Sequence, residues 1–78
     1  MTSYLVESYT PAASPVAEIE ARARRAAGGT AVRYVRSIFI PDDEICFHLI
    51  DAPSVESVEA VIRCAGISAQ RIAEVQRL

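Results

Sequence analysis

Two side chains of the kind that bind transition metals, Cys46 and His48, lie two residues apart in the segment 45–51. Because this segment is predicted to be a β-strand, both side chains point to the same face of it. Thiolate and imidazole are good ligands for nickel, zinc and copper. Two ligands do not complete a metal site, so a third donor would have to come from Glu7, Glu74 or a second copy of the chain. The alternative is a half-buried cysteine beside a hydrogen-bonded histidine within an interface, which is the commoner role of such a pair.

Glu7 occupies the middle of another predicted strand, an uncommon position for a carboxylate. Glu74 lies in the last predicted strand, which neighbours the first one in the fold derived below. Two carboxylates brought together there would perform acid–base chemistry or bind a metal ion. The alternative is an ion pair or an exposed position at an edge of the sheet. The basic partners available to Glu7 are Arg33, Arg36 and Arg71.

The elements that must position these residues alternate between strands and helices. Strands are predicted over residues 4–9, 31–40, 45–51 and 70–77, where β-branched and aromatic residues concentrate. The first helix is predicted to begin at Ser14, with Pro15 at its first helical position, and the second to begin at Ser54. Apolar residues at helical spacing follow both starts. Gly28-Gly29 and Gly66 are predicted to end the helices in the left-handed conformation.

The resulting order, strand–helix–strand–strand–helix–strand, predicts one domain over residues 1–78. Right-handed crossovers on this order give a four-stranded antiparallel sheet with two helices on one face. This α+β architecture is the ferredoxin-like βαββαβ sandwich. A chain of 78 residues builds only a small core, and small domains often compensate by forming oligomers.

The strand over residues 45–51 decides which side chains reach the sheet face that the helices leave open. Its large apolar side chains are predicted to lie under the helices, and these are Ile45, Phe47 and Leu49. The open face then receives the residues of opposite parity, Cys46, His48 and Ile50.

The register of the preceding strand has two solutions. Closing the hairpin with Ile40 opposite Ile45 adds to the open face Val35, Ser37 and Phe39. A loop one residue longer or shorter adds instead Tyr34, Arg36 and Ile38. In either case both faces of the sheet carry large apolar groups, which predicts that a second copy of the chain covers the open face.

The composition excludes several classes of protein. Hydrophobic residues make up 51% of the chain and charged residues 23%, which is typical of a globular protein. The net charge is −2 and the strands lack basic–aromatic motifs, so no nucleic-acid partner is expected. No apolar run approaches the roughly 20 residues that span a bilayer, and no signal peptide is recognised at the start. We therefore expect a cytoplasmic protein, not attached to a membrane and without a disulfide scaffold, since it has two cysteines.

Five short motifs occur in an order that resembles a family of small bacterial proteins, common in actinobacteria. They are Tyr4-Leu5-Val6-Glu7, Pro41-Asp42-Asp43-Glu44 leading to Cys46-Phe47-His48, Asp51-Ala52-Pro53-Ser54, Ala65-Gly66 and Arg71-Ile72-Ala73-Glu74-Val75. The family is described as nickel-binding-protein-like or as a domain of unknown function. The resemblance implies a ferredoxin-like protomer, a homodimer and a metal site. In the nickel-binding members, histidines occur in the first strand and at the end of the second helix, whereas His48 is the single histidine here.

These observations predict a non-enzymatic homodimer that binds a ligand at the open sheet face. The ligand is a transition metal of the nickel type or a small molecule. The candidate ligand-binding residues are Glu7, Tyr34, Arg36, Cys46 and His48, and the candidate metal ligands among them are Glu7, Cys46 and His48. One alternative is a cofactor-independent enzyme related to small monooxygenases and cyclases, with the sheet face as its substrate pocket. Another is a structural or regulatory module whose sheet face serves only as an interface.

Overall fold

A computed structural model describes all residues, 1–78. The strands are β1 (Thr2–Tyr9), β2 (Arg33–Ile40), β3 (Ile45–Ala52) and β4 (Ala69–Val75), and the helices are α1 (Val16–Ala27) and α2 (Val55–Cys64). A single 3-10 turn, Pro41–Asp43, joins β2 to β3. The strands form one antiparallel sheet in the order β2-β3-β1-β4. The predicted ferredoxin-like α+β fold is therefore confirmed.

Three of the four predicted helix ends are right, and the one at Ser14 is wrong. The Ser54 side chain accepts a hydrogen bond from the Ser57 N–H and caps α2, and Gly66 after this helix has the predicted left-handed φ of 75°. Ser14 caps nothing, because α1 begins at Val16 and the N-cap position is Pro15, which has no side-chain hydroxyl. Gly28 has a φ of −59°, and it is the next residue, Gly29, that takes the left-handed conformation with φ 77°.

The core lies between the sheet and the two helices. Its buried side chains come from every layer: Tyr4 and Val6 from β1, Tyr34 from β2, Ile50 from β3, Ala23 and Ala27 from α1, and Val58, Val61 and Ile62 from α2. Helix α1 packs against β2 and α2, and α2 also contacts β3. The alanines of α1 let this helix approach the sheet closely, and that choice of small residues leaves room for large side chains from the strands.

The predicted assignment of faces in β3 is wrong. Cys46, His48 and Ile50 are buried on the helix-covered side, whereas the alternate residues are only partly buried and lie on the open side. The open-side residues of β3 are Ile45, Phe47 and Leu49. The pairing explains the inversion, because Ile50 lies opposite the buried Tyr4 and His48 lies opposite the fully buried Val6.

The hairpin between β2 and β3 closes with Ile40 opposite Ile45, which is one of the two predicted registers. Farther along, the register shifts between Tyr34 and Arg36, so Val35 has no partner and forms a β-bulge. The bulge changes which residues share a face: Tyr34 pairs with Ile50 and Arg36 with Leu49. Tyr34, Ser37 and Phe39 therefore share the face of Cys46, His48 and Ile50. This set combines residues from both of the alternatives predicted for β2.

Candidate functional site

The centre of the candidate site is a hydrogen bond between two buried side chains, Tyr34 and His48. The Tyr34 Oη and the His48 Nδ1 are 2.5 Å apart, and the two rings meet edge to face with centroids 5.8 Å apart. His48 is 1% exposed and its second ring nitrogen, Nε2, is buried without any hydrogen-bond partner. Buried polar atoms are nearly always satisfied in folded proteins, so this unpartnered nitrogen is the exceptional atom of the cluster.

Helix α1 adds one acidic and one basic side chain to the cluster, Glu20 and Arg24. The Ser37 hydroxyl donates to the Glu20 carboxylate, and Glu20 also faces the Arg24 guanidinium at 3.5 Å. Arg24 donates to the carbonyl oxygens of Tyr34 and Val35 at 3.1 and 3.2 Å and lies 5.1 Å from the centre of the Tyr34 ring. The helix therefore binds the bulge of β2 and covers Tyr34 at the same time.

Cys46 lies beside His48 on the helix-covered side and is 2% exposed. It forms no disulfide, and neither does the exposed Cys64. Its thiol donates one long hydrogen bond, of 4.0 Å, to the carbonyl oxygen of Phe47. A thiol and an imidazole thus occupy neighbouring positions in a largely apolar environment.

Burial keeps the central groups of this cluster neutral. It lowers the pKa of His48, against an opposing effect of the Glu20 charge, and it raises the pKa of the Cys46 thiol. Burial also raises the pKa of Tyr34 to about 12, although the Ser37 hydroxyl acts in the opposite direction. The hydrogen bond from Ser37 is the main reason that the pKa of Glu20 is lowered. Glu20 is therefore the one anionic member beside three neutral ones at pH 7.

The five predicted ligand-binding residues are divided between the two faces of the sheet. Tyr34, Cys46 and His48 come together under α1. Glu7 lies opposite Phe47, and Arg36 lies opposite Leu49, so both belong to the open face. The predicted grouping of Glu7 with Cys46 and His48 as metal ligands is therefore wrong, because the sheet separates them.

The predicted pair of carboxylates is also absent. Glu7 lies opposite Arg71 in β4, whereas Glu74 lies opposite Tyr4 and so belongs to the other face. Glu7 makes no ion pair either, since the two ion pairs of the chain join Glu20 to Arg24 and Asp51 to Arg77.

The largest surface cavity lies away from the buried cluster, and a smaller one reaches its edge at Tyr34. The largest, about 520 Å³, is a groove between α2 and the edge strand β4. Tyr34 and Arg24 line a shallow cavity of about 190 Å³ at the end of α1. The substrate pocket expected for an enzyme of the monooxygenase type would be a closed apolar cavity lined by Tyr34, Arg36, His48 or Glu7. Of these four residues Tyr34 alone lines a cavity, and that cavity is the shallow one at the end of α1.

The fold and the cluster together define a small ferredoxin-like protein with a buried polar site beneath its first helix. Over residues 4–75 the chain matches the family described as nickel responsive protein SCO4226-like, and it belongs to that family. The crystal structure of SCO4226 from Streptomyces coelicolor A3(2) is similar, with a TM-score of 0.87 over 97% of this chain and 98% of that chain. The two sequences are 18% identical, so this likeness shows the fold. A search of curated proteins finds no match.

The side chains of this chain do not fit the nickel ion that the family description raises. Nickel is usually held by four or more nitrogen, oxygen or sulfur donors. No three histidine, cysteine, aspartate or glutamate side chains lie close enough together to hold a metal ion. The single histidine has only Cys46 beside it, because Glu7 lies on the opposite face.

Sequence patterns missed three members of the cluster, Glu20, Arg24 and Ser37. Glu20 and Arg24 are four residues apart on α1, and that spacing indicates only a surface ion pair on a helix. What makes them part of the site is the packing of α1 on β2, and no local pattern shows which strand a helix side chain will touch.

Neither helix of the protein has the length and apolar character needed to cross a membrane.

Proposed function

We propose that this chain is a homodimeric binding protein whose two copies pair through the open faces of their sheets. The observation that supports pairing is the apolar character of this face. Ile38 is 56% exposed and Tyr9 58% exposed, and the same face carries the partly buried Leu5, Phe47 and Leu49. Large contiguous apolar surfaces are uncommon on monomers and mark interaction sites.

A second copy is the partner that the charges on this face favour. The face carries Glu7 together with Arg36 and Arg71, and Glu7 makes no ion pair within its own chain. An isologous interface brings a surface against itself, so a patch that bears both signs can satisfy its own charges. The broadest side of the molecule measures 32 by 26 Å, which is on the order of the 800 Å² that each partner buries in a standard interface.

The ligand belongs to the other side of the sheet in this proposal. Tyr34, Cys46 and His48 form the binding cluster, and Glu7 and Arg36 serve the contact between subunits. Support for the cluster comes from the unpartnered Nε2 of His48 in the protein interior. The cytoplasmic location and the absence of a nucleic-acid partner stay predictions from the sequence.

Sedimentation equilibrium of the protein and of two matched variants tests the pairing. Phe47→Asp places a charge at the centre of the open face, and we expect it to shift the mass from twice 8.5 kDa to 8.5 kDa. Val55→Asp is the control, because Val55 is an exposed apolar residue in the first turn of α2, where an acidic side chain is well tolerated. This variant should remain a dimer. A monomeric wild-type protein at 100 μM, or a dimeric Phe47→Asp variant, would contradict the proposal.

A further inference from the structure

The cluster contains two side chains that can bind a transition-metal ion, the Cys46 thiol and the His48 imidazole. Cys46 and His48 are two residues apart on the same face of β3, so their Cα atoms are separated by roughly 6.7 Å. Side chains that start this far apart on one face can converge on an ion with bonds of about 2.0–2.3 Å. Both residues are buried, which removes water as a competing ligand.

The hydrogen bond to Tyr34 leaves the correct nitrogen of His48 available. Nδ1 is engaged with the Tyr34 Oη at 2.5 Å, and Nε2 has no partner. Either oxygen or nitrogen can be the donor in this bond, depending on the tautomer. When Nδ1–H donates to Tyr34, Nε2 carries a lone pair, and this is the arrangement in which a metal-binding histidine is usually held by its neighbours.

The number of ligand side chains available determines which metal ions can bind. Nickel and zinc require about four ligands, and this chain offers no group of three. A soft monovalent ion with a filled d shell, Cu⁺, accepts two ligands, and thiolate sulfur is the donor that it prefers. One thiolate and one neutral imidazole around Cu⁺ also make a site with no net charge, which is the least costly arrangement for an ion in a protein interior.

We propose that Cys46 and the Nε2 of His48 form a two-coordinate site for Cu⁺ and that nickel is not bound by the single chain. The Cu–S bond replaces the S–H bond of Cys46, whose proton is released to solvent, and no electron is transferred. Entry requires α1 to separate from β2, where Glu20 and Arg24 hold the two elements together at the surface. The inference specifies the ligand of the binding protein proposed above, but the site lies within one subunit and does not need the pairing of open faces.

Competition for Cu⁺ against bicinchoninate without oxygen tests the site. The experiment uses Cys64→Ser as the parent protein, because Cys64 is exposed and would bind the ion at the surface. We expect the parent to retain one equivalent of Cu⁺ and to bind neither Ni²⁺ nor Zn²⁺ stoichiometrically in equilibrium dialysis. Adding Cys46→Ala, or separately His48→Gln, should weaken Cu⁺ binding at least tenfold, with circular dichroism confirming that each variant is folded.

A second measurement does not depend on whether the core variants fold. Copper X-ray absorption of the loaded parent should show two ligands, one sulfur and one nitrogen. Failure to bind one equivalent of Cu⁺, a folded Cys46→Ala variant that binds as tightly as the parent, a higher coordination number, or one equivalent of bound Ni²⁺ would each overturn the inference. Adding Phe47→Asp separates the two proposals, since the account predicts that a monomeric subunit still binds Cu⁺.

Discussion

The hydrogen bond between Tyr34 and His48 makes a prediction whose size follows from the structure. Tyr34→Phe removes the hydroxyl and nothing else, so the His48 Nδ1 loses its only partner in a site where neither residue is more than 5% exposed. A buried polar group left without a partner costs about 1–3 kcal/mol. We expect a loss of about 2 kcal/mol in the free energy of unfolding, which corresponds to a decrease in Tm of about 8–16 °C for a protein of this size.

Urea unfolding followed by circular dichroism measures this loss, and Tyr9→Phe is the matched control. Both substitutions are made in the monomeric Phe47→Asp background, where Tyr9 undergoes the same chemical change but stays 58% exposed. The Tyr9 substitution should therefore alter the free energy of unfolding by less than about 0.5 kcal/mol. Combining Tyr34→Phe with His48→Leu should cost less than the sum of the two single changes, because both partners of the bond are then apolar. Equal effects for Tyr34→Phe and Tyr9→Phe would refute the assignment of this bond to the core.

Three further predictions concern the pH dependence of stability and the ends of α2. Because burial lowers the pKa of His48 in the folded protein, the unfolded chain binds a proton first as the pH falls below about 6.5. Stability should therefore decrease below that pH by up to about 1.4 kcal/mol per pH unit, and urea titrations of His48→Leu between pH 7.5 and 5.5 should lack this component. Ser54→Ala should lower the free energy of unfolding by about 1 kcal/mol and Ser14→Ala by much less, since only Ser54 caps a helix; equal effects would contradict the capping assignment. Gly66→Ala should cost about 1–2 kcal/mol because of the left-handed backbone there, and Gly66→Asn should cost less, which thermal unfolding of the two variants compares directly.

The sequence was sufficient to predict the order of the elements and their packing into a two-layer fold, because these depend on patterns spread along the whole chain. Prediction from the sequence was less reliable where one local pattern is compatible with two different structures. Ser14-Pro15 and Ser54 both carry helix-start signals, yet only Ser54 caps its helix, because α1 begins one residue later than predicted and Ser14 lies in the preceding turn. The choice between such solutions depends on neighbouring segments and not on the local pattern.

The orientation of β3 shows the same limit on a larger scale. Residues on both of its faces are apolar or nearly so, and the alternation alone therefore does not say which face the helices cover. The pairing with β1 distinguishes the two faces, because His48 and Ile50 lie opposite Val6 and Tyr4, whose side chains are buried in the core. The bulge at Val35 likewise depends on Arg24, which donates to a carbonyl of the bulge from a different element.

The central claim, that two copies pair through their open faces, is tested most directly by isotope-filtered nuclear Overhauser spectroscopy on a mixture of labelled and unlabelled chains. The account predicts contacts between subunits that join the methyl groups of Leu5 and Leu49 in one copy to the Phe47 ring of the other, because these residues occupy the middle of the face. Contacts between subunits that involve α1 or α2 in place of these residues, or the absence of any such contact, would contradict it.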